Sequence, residues 1–521
     1  MTTQSEYDRV AYPSYTHPQT HPDRLAVLGR LFGLKPAAVT ACRVLEVGCG
    51  DGTNLAPMAW ALPGSEFVGL DLASQPVQRG QDMARELGLK NLRLVQANVT
   101  QLSPDWGRFD YILAHGFFSW VPHEAQQHLF EACRHLLQPQ GIAFISYNAF
   151  PGCHLRQMVR EMMHFHVRGF EEPRERIAQA QALLQFLVKA QDTRDEYRLW
   201  LKAELEQVQD HAPGHMYHDE LAPLNEPLYF TQFMALAAEH HLQYLGEADF
   251  FEMSDHIFHE EVRERLKALG PNRLAREQYL DFLKCRRFRQ TLLCRRDATL
   301  RAEPASAEVA GLLISSAAVR MPGHTDLRPG VRCVFENPKG AKCQTDLPMG
   351  KAALEILGSQ WPFPLAFTDL VREIQQRLAQ AGLTLDSAPV SREELCEFLL
   401  ELYAGGVVEF RTWLPAIAPE PGLRPMVHPL ARWQAQHGTW VASLFHLAVK
   451  VEDELGRMLL CRLDGTLEGP ALKQAVWEFL RAKNALALGA GGEAEARRAM
   501  EAQLEQNLGK LARLGLLIPC P

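Results

Sequence analysis

The segment RVLEVGCGDG, from Arg43 to Gly52, restricts what this 521-residue chain can fold into more than any other. Arg43 to Val47 is a short apolar run with one acid, the pattern of a strand buried on both faces of a parallel sheet. Gly48, Gly50 and Gly52 then remove every Cβ from one side of a tight turn, so that the backbone can come against a flat ligand. Asn54 to Ala61 continues with helical character. Strand, glycine turn and helix in that order open a doubly wound α/β domain.

The unit repeats. Glu66 to Leu70 is a second apolar strand ending at Asp71, Asn91 to Val95 a third followed by Gln96, Ala97 and Asn98, and Phe109 to Leu113 a fourth leading to His115 and Gly116. A fifth, Gly141 to Tyr147, follows the turn at Gln138 to Gly141. Polar residues at the carboxyl ends of successive strands place the ligand crevice along that edge of the sheet. Residues 156–225 read instead as long amphipathic helices. The strand pattern resumes after a helix at Phe230 to His240, with Leu242 to Phe250 and Phe288 to Arg295 as a closing antiparallel hairpin. The expected α/β core is therefore residues 1–155 and 226–296, a Rossmann-like sheet interrupted by a helical insertion.

The glycine pattern is GxGxG, because Thr53 stands where a dinucleotide fingerprint has its third glycine. Glu46, just before the glycines, would repel a pyrophosphate but steady the cationic methionine end of S-adenosylmethionine. Asp71 sits where an adenosine ribose presents two hydroxyls, and a carboxylate accepts from both; it also suits the cap of a helix starting at Ser74. Asn98 either bonds the adenine amino group or caps a helix. The cofactor expected on these grounds is S-adenosylmethionine.

A formal net charge of −8 and a pI near 6.2 give no general electrostatic reason to approach nucleic acid or an anionic membrane. The basic run Lys284 to Arg289, with Arg295 and Arg296, reads as a strand with solvated arginines. No basic segment followed by an apolar run marks the start, no stretch approaches ~18 uninterrupted apolar residues, and the 11 cysteines form no CxxC pair, so a cytoplasmic protein with reduced thiols is expected. His211, His215 and His218, or His256 and His259 with Glu260, lack the spacing of a zinc site, and no metal is expected.

Residues 297–330 read as a connector. Strands at Val331 to Phe335 and near Cys343, helices at Met349 to Leu357, Ala366 to Leu378 and Arg392 to Tyr403, and a strand at Val407 to Thr412 suggest a winged-helix-like module over 331–415. It lacks a lysine-arginine recognition face, which favours contact with protein over DNA. Residues 416–521 read as a helical unit with helices at Val449 to Leu463, Ala471 to Arg481 and Glu493 to Leu514, turn chemistry at Asp464 and Thr466, and a flexible loop at Gly489 to Gly492.

Four phrases are rarer than GxGxG: YDRVAYPSYTHPQTHPDRL at Tyr7 to Leu25, HGFFSWVP at His115 to Pro122, SYNAFPGCH at Ser146 to His154, and NEPLYFTQFMALAAEHHLQYLGEADF at Asn225 to Phe250. With them the chain resembles, over nearly its whole length, the bacterial protein lysine methyltransferases that carry a methyltransferase regulatory domain. That resemblance implies a class I core, a dimerising helical part, a middle domain and a C-terminal domain. It also implies a protein substrate, with lysines of outer-membrane proteins as acceptors, and a homodimer. Glu46, Gly48, Gly50 and Asp71 match the family's cofactor motifs, with Cys49, Asn54, Leu72 and Val99 beside them, and His115 lies in the loop that faces the reacting methyl. The family's PGWH is here Pro151-Gly152-Cys153-His154, so the tryptophan's contribution is missing.

Methyl transfer from a sulfonium is an in-line displacement, which chiefly requires positioning. Phe117, Phe118, Trp120, Tyr147 and Phe150 either form an apolar channel that disfavours an ammonium or merely roof the sheet. Tyr147 and Asn148 are candidates for orienting the amine, and His115 is either a general base or a hydrogen-bonded loop residue. Tyr12, Tyr15, His21 and Arg24 form a lid in this reading, with Arg24 either pairing the cofactor carboxylate or capping a surface helix. Three functions fit: a protein lysine methyltransferase, a small-molecule methyltransferase with regulatory domains, and a cofactor-binding scaffold without turnover.

Overall fold

A computed structural model describes residues 6–520 apart from 11, 192–194, 210, 271, 322, 324–325, 384–390 and 486–491. Seven strands form one sheet: β1 (Arg43–Val47), β2 (Glu66–Asp71), β3 (Leu92–Gln96), β4 (Phe109–Ala114), β5 (Leu137–Asn148), β6 (Leu242–Glu247) and β7 (Phe288–Arg295). Their order is β3-β2-β1-β4-β5-β7-β6. The first five run parallel, whereas β7 is antiparallel to both β5 and β6. The chain passes from β3 on one side of β1 to β4 on the other, so the connections after β1 and β4 diverge and leave a crevice beyond their carboxyl ends. β5 starts four residues earlier than the expected Gly141, because its pairing with β4 slips between Phe109 and Tyr111 and absorbs the turn residues as a bulge.

Between β5 and β6 lie helices Cys153–Val167, Pro173–Ala190 and Glu196–Gln209, followed by a π-turn at Met216–Glu220. Val159, Met163, Ala180, Leu184, Leu205 and Met216 give this insertion a small core of its own.

The basic run around β7 is not a row of solvated arginines. Arg289 is fully buried, its guanidinium 2.5 Å from Glu247, 2.8 Å from Asp281 and 3.1 Å from Glu277, and it stacks on the Phe230 ring at 4.0 Å. Strand alternation turns it to the face covered by helices Phe230–Glu239 and Arg273–Lys284, where Glu247 of β6 and two acids of the helix preceding β7 compensate the charge. Arg286 is also buried, 3.1 Å from Asp281. Arg295 behaves as expected, pairing with the exposed Asp297.

In the next module the strand Leu313–Ser315 lies between Leu365–Ala366 and Glu409–Arg411. The expected connector 297–330 thus supplies the central strand of that sheet. Helix Pro348–Gln360, strand Leu365–Ala366, helices Phe367–Gln380 and Arg392–Ala404 and strand Glu409–Arg411 follow in that order. The module is held to the core through Asp23, whose carboxylate accepts from the Thr412 N–H at 2.6 Å and the Trp413 N–H at 3.1 Å and faces Arg411 at 3.4 Å.

The last unit has helices Pro429–His437, Glu454–Arg462, Gly469–Ala482 and Gly492–Arg513, a hairpin of Trp440–Ala442 with Ala448–Lys450, and a strand pair of Met426–Val427 with Leu517–Ile518. The expected helix from Val449 is therefore a strand to Lys450; the helix starts only at Glu454, where Asp453 caps it by accepting from the Gly456 N–H. Asp464 accepts from the Thr466 N–H at 3.0 Å, the turn chemistry expected there. Of Gly489 to Gly492 only Gly492 is among the described residues. Among the described residues no helix is long and apolar enough to cross a membrane.

Candidate functional site

A cavity of about 520 Å³ opens beyond the carboxyl ends of β1, β2 and β4. β1 ends in a turn that only glycine adopts comfortably: Gly48 has φ +76° and Gly50 φ +55°. A Cβ on Gly50 would meet nothing within 4 Å, so the turn presents bare backbone to the cavity. Behind it the helix Ser74–Glu86 packs so closely that a Cβ on Gly80 would stand 2.2 Å from the Asp51 carbonyl oxygen.

Glu46, at the floor, is buried, and its Oε1 accepts from Asn54 Nδ2 at 2.7 Å. Its Oε2 is also buried and takes no hydrogen bond from the protein. Burial pushes its pKa up to about 8 against the Asn54 bond, with the carboxylates of Asp71 and Asp51 raising it further. An acceptor left in that state suits a ligand that brings a cation, because an ammonium would restore the ionised form.

Asp71 closes β2 at the cavity wall. Its Oδ2 accepts from the Gly50 N–H at 2.9 Å and its Oδ1 from the Ala73 N–H at 2.8 Å. Each oxygen keeps a further lone pair, the capacity needed for two hydroxyls. The carboxylate ties the glycine turn to the second strand and closes the short turn at Leu72, but it does not cap helix Ser74–Glu86: the N-cap there is Ala73, and no side chain caps it. Burial raises its pKa, opposed by those backbone donors.

Leu72, although 59 % exposed, lines the cavity with Val99 and Ala97, a slot of apolar side chains suited to a flat heterocycle. Asn98 lies at its edge and also caps the following turn, accepting from the Thr100 N–H at 3.1 Å while Gln101 bonds back to its own N–H. Both readings of Asn98 are compatible with that geometry.

At the opposite end stand His115, Phe117, Trp120, Val121 and Pro122 from the loop after β4. His115 stacks on His17 with ring centroids 3.7 Å apart. Burial holds its pKa well below the ordinary value, reinforced by His17, which burial lowers to about 4. Both rings are therefore neutral at pH 7, and His115 is poorly suited to keep a proton as a general base. Tyr12 and Tyr15 cross the cavity as a strap, and Tyr12 donates to Asp219 at 3.3 Å.

Of the residues expected at the site, Tyr12, Glu46, Gly48, Cys49, Gly50, Asn54, Asp71, Leu72, Asn98, Val99, His115 and Trp120 line this one cavity. Four do not. Tyr147 is fully buried on the far face of β5, stacked 4.1 Å from Phe233, so it cannot orient an amine here. Asn148 is turned to Asn225, to whose Oδ1 it donates at 2.7 Å. His21 accepts from the Asp23 N–H to cap helix Pro22–Leu31 and lies against Trp413 and His446. Arg24 pairs at 3.0 Å with Glu409 of the next module. The side chains these four pack against or bond, Phe233, Asn225, Trp413, His446 and Glu409, are all remote in sequence. Of the proposed channel, Phe118 is core and Phe150 stacks on His154; Phe117 and Trp120 alone reach the cavity.

Sequence reasoning missed His17, although it lies in the quoted N-terminal phrase, and also Asp51, Arg79 and the insertion's His215 and Asp219. Asp219 lies in the π-turn, a distortion that frequently marks functional positions. Burial pushes its pKa up to about 6 despite the Arg156 guanidinium. Among the described residues no group of three His, Cys, Asp or Glu side chains is placed to hold a metal ion.

Comparison with known proteins adds names to this geometry. Family models match a methyltransferase domain over residues 44–141, a predicted methyltransferase regulatory domain over 212–295 and a PKMT C-terminal winged helix domain over 424–516. The last falls on a stretch that reads in sequence only as helical, since its strands are two or three residues long. The uncharacterized protein RP028 of Rickettsia prowazekii is 35 % identical over 45 % of this chain and 95 % of its own length. A second, RP789, is 29 % identical over 98 % of this chain and 93 % of its own. The solved structure of PKMT2 from Rickettsia typhi, also solved in complex with AdoHcy, aligns with a TM-score of 0.85 and 25 % identity over 98 % of this chain and 100 % of that one.

Proposed function

The chain belongs to the bacterial protein lysine methyltransferases that carry a methyltransferase regulatory domain, and from that premise we propose that it methylates lysine side chains of a protein substrate. It is a class I S-adenosylmethionine-dependent methyltransferase. The observation that carries the reading is the buried, unpartnered Oε2 of Glu46 in a cavity that also holds the Asp71 carboxylate and the Leu72–Val99 slot. In it Glu46 takes the cofactor's ammonium, Asp71 its ribose hydroxyls, Gly48 and Gly50 its close approach, and Leu72, Asn98 and Val99 its adenine. When bound, S-adenosylmethionine supplies an electrophilic methyl on a sulfonium.

The protein's own task is to bring a neutral amine to that methyl. Freeing a lysine with a pKa of ~10.4 of its proton at pH 7 costs about 4–5 kcal/mol. Phe117, Trp120, Val121 and Pro122 form an apolar end of the cavity that disfavours the ammonium. His115 and Trp120 position the acceptor, and the neutral His115 ring offers it a hydrogen bond. Exposed Phe165, Phe186 and Trp200, on three helices of the insertion, support the insertion as the place where a second copy docks. An outer-membrane protein is the substrate that the family resemblance implies.

Incubation with labelled S-adenosylmethionine, a cell lysate and a metabolite pool tests the reading. Label should appear in lysines of proteins. Label confined to metabolites would point to a small-molecule enzyme, and cofactor binding without transfer to a scaffold. Light scattering of the wild type and of Phe186→Glu/Trp200→Glu should show a dimer and a monomer.

A further inference from the structure

The cofactor acid does not stand on the α/β core alone. Asn54, whose Nδ2 donates to Glu46 Oε1 at 2.7 Å and to Thr20 Oγ1 at 3.0 Å, carries on its Oδ1 the His17 backbone N–H at 2.9 Å and the His446 Nε2 at 2.9 Å. His446 comes from the last module, 392 residues further along the chain. It sits in the loop of the hairpin Trp440–Ala442/Ala448–Lys450, is buried, and holds φ +66°, a left-handed conformation that costs a non-glycine residue free energy. Ser443 fixes the loop, taking the His446 N–H on its carbonyl at 2.9 Å and the Leu447 N–H on its hydroxyl at 3.2 Å. Leu444 and Phe445 anchor it in a small apolar cluster against Trp60.

An asparagine amide is nearly symmetrical in shape, and only its neighbours decide which end is oxygen. The His17 backbone N–H fixes one end of Asn54 as the oxygen, so the NH₂ end points at Glu46. Burial keeps His446 neutral, with its pKa well below the ordinary value, so the ring holds one proton, and the amide oxygen 2.9 Å from Nε2 assigns that proton to Nε2. We infer that His446 is a positioning residue of the C-terminal module: by fixing the Asn54 amide it holds Glu46 ready for the cofactor's ammonium, so that docking of this module sets cofactor affinity. The inference rests on the S-adenosylmethionine site proposed above.

The test is calorimetric binding of S-adenosylhomocysteine to the full chain between pH 6 and 9. Two neutral imidazoles, His17 and His21, and the guanidiniums of Arg24 and Arg411 face His446, while the carboxylates of Asp51 and Asp71 face Glu46. In the wild type, affinity should rise with pH toward about 8 as Glu46 ionises. His446→Gly, which suits the left-handed backbone, should weaken binding roughly tenfold and move that rise to higher pH. His446→Gln, which can still offer an N–H, should keep both near wild type. Wild-type affinity and midpoint in a folded His446→Gly variant would overturn the inference. If the glycine variant does not fold, the pair His446→Gln and His446→Met, alike in length and differing in the donor, decides: equal affinities overturn it. A wild type that binds no S-adenosylhomocysteine would instead remove the cofactor site itself.

Discussion

The imidazoles of His17 and His115 lie face to face with centroids 3.7 Å apart, joining the N-terminal strap to the loop that follows β4. His17 is one of several histidines kept neutral by burial: its pKa is lowered to about 4, and those of His21 and His428 to about 3. Between the ordinary 6.5 and those values the unfolded chain binds protons that the folded chain does not. Their contribution to stability is therefore present above pH 6.5 and lost as pH falls through about 4. Denaturant titrations at pH 7, 6, 5 and 4 should show falling midpoints. His17→Phe, which keeps a ring on His115, should make that fall shallower.

Glu46 carries the opposite sign. Its pKa is raised from 4.5 to about 8, so the folded chain holds a proton that the unfolded chain releases, and this contribution is lost as pH rises from 4.5 through 8. Glu46→Gln should remove that decline in thermal scans run without cofactor. In the wild type at pH 7, pairing with an ammonium should expel the proton, so the heat of binding should vary with the ionisation enthalpy of the buffer. The same measurement on Glu46→Gln should show no such dependence and an affinity lower by about tenfold or more.

Asp71→Ala should weaken cofactor binding by an order of magnitude or more, because the carboxylate also carries the Gly50 N–H at 2.9 Å. Asp71→Asn keeps one acceptor oxygen and should fall between the two. Calorimetry in which Asp71→Ala binds as tightly as the wild type would take Asp71 out of the site.

Arg289→Leu should destabilise the chain by about 3–5 kcal/mol, since it leaves Glu247, Glu277 and Asp281 buried with their main compensating cation gone. Thermal and denaturant unfolding should both register the loss. Arg295→Leu, whose ion pair with Asp297 is solvated, should change stability by less than about 1 kcal/mol.

These contrasts show what local sequence conveys. β1 and β7 fall where their apolar runs place them, and Glu46, Gly48, Gly50 and Asp71 meet because each closes or follows a strand of one parallel sheet. Such positions depend only on strand periodicity and on the topology of a doubly wound fold. Tyr147 lies next to a strand end in sequence, but alternation turns its ring to the covered face, a parity that the motif does not reveal. His21 and Arg24 read as lid residues because their partners, Trp413 and Glu409, lie nearly 400 positions away. Arg289 sits in a run that looks solvated until Glu247 of β6 and Glu277 and Asp281 of helix Arg273–Lys284 are brought around it. The strand at Ala448–Lys450 is too short for its period to be separated from that of a helix.

The hairpin loop bearing His446 also bears on how the molecule comes into being. Every wall of the pocket drawn from β1, β2 and β4 has left the ribosome long before the amide of Asn54 can meet its last donor. A nascent or truncated chain ending ahead of that loop has the cleft and the His17 bond to Asn54 but not the His446 donor, so on the inference above it holds the cofactor more weakly until the final module is synthesised and settles into place.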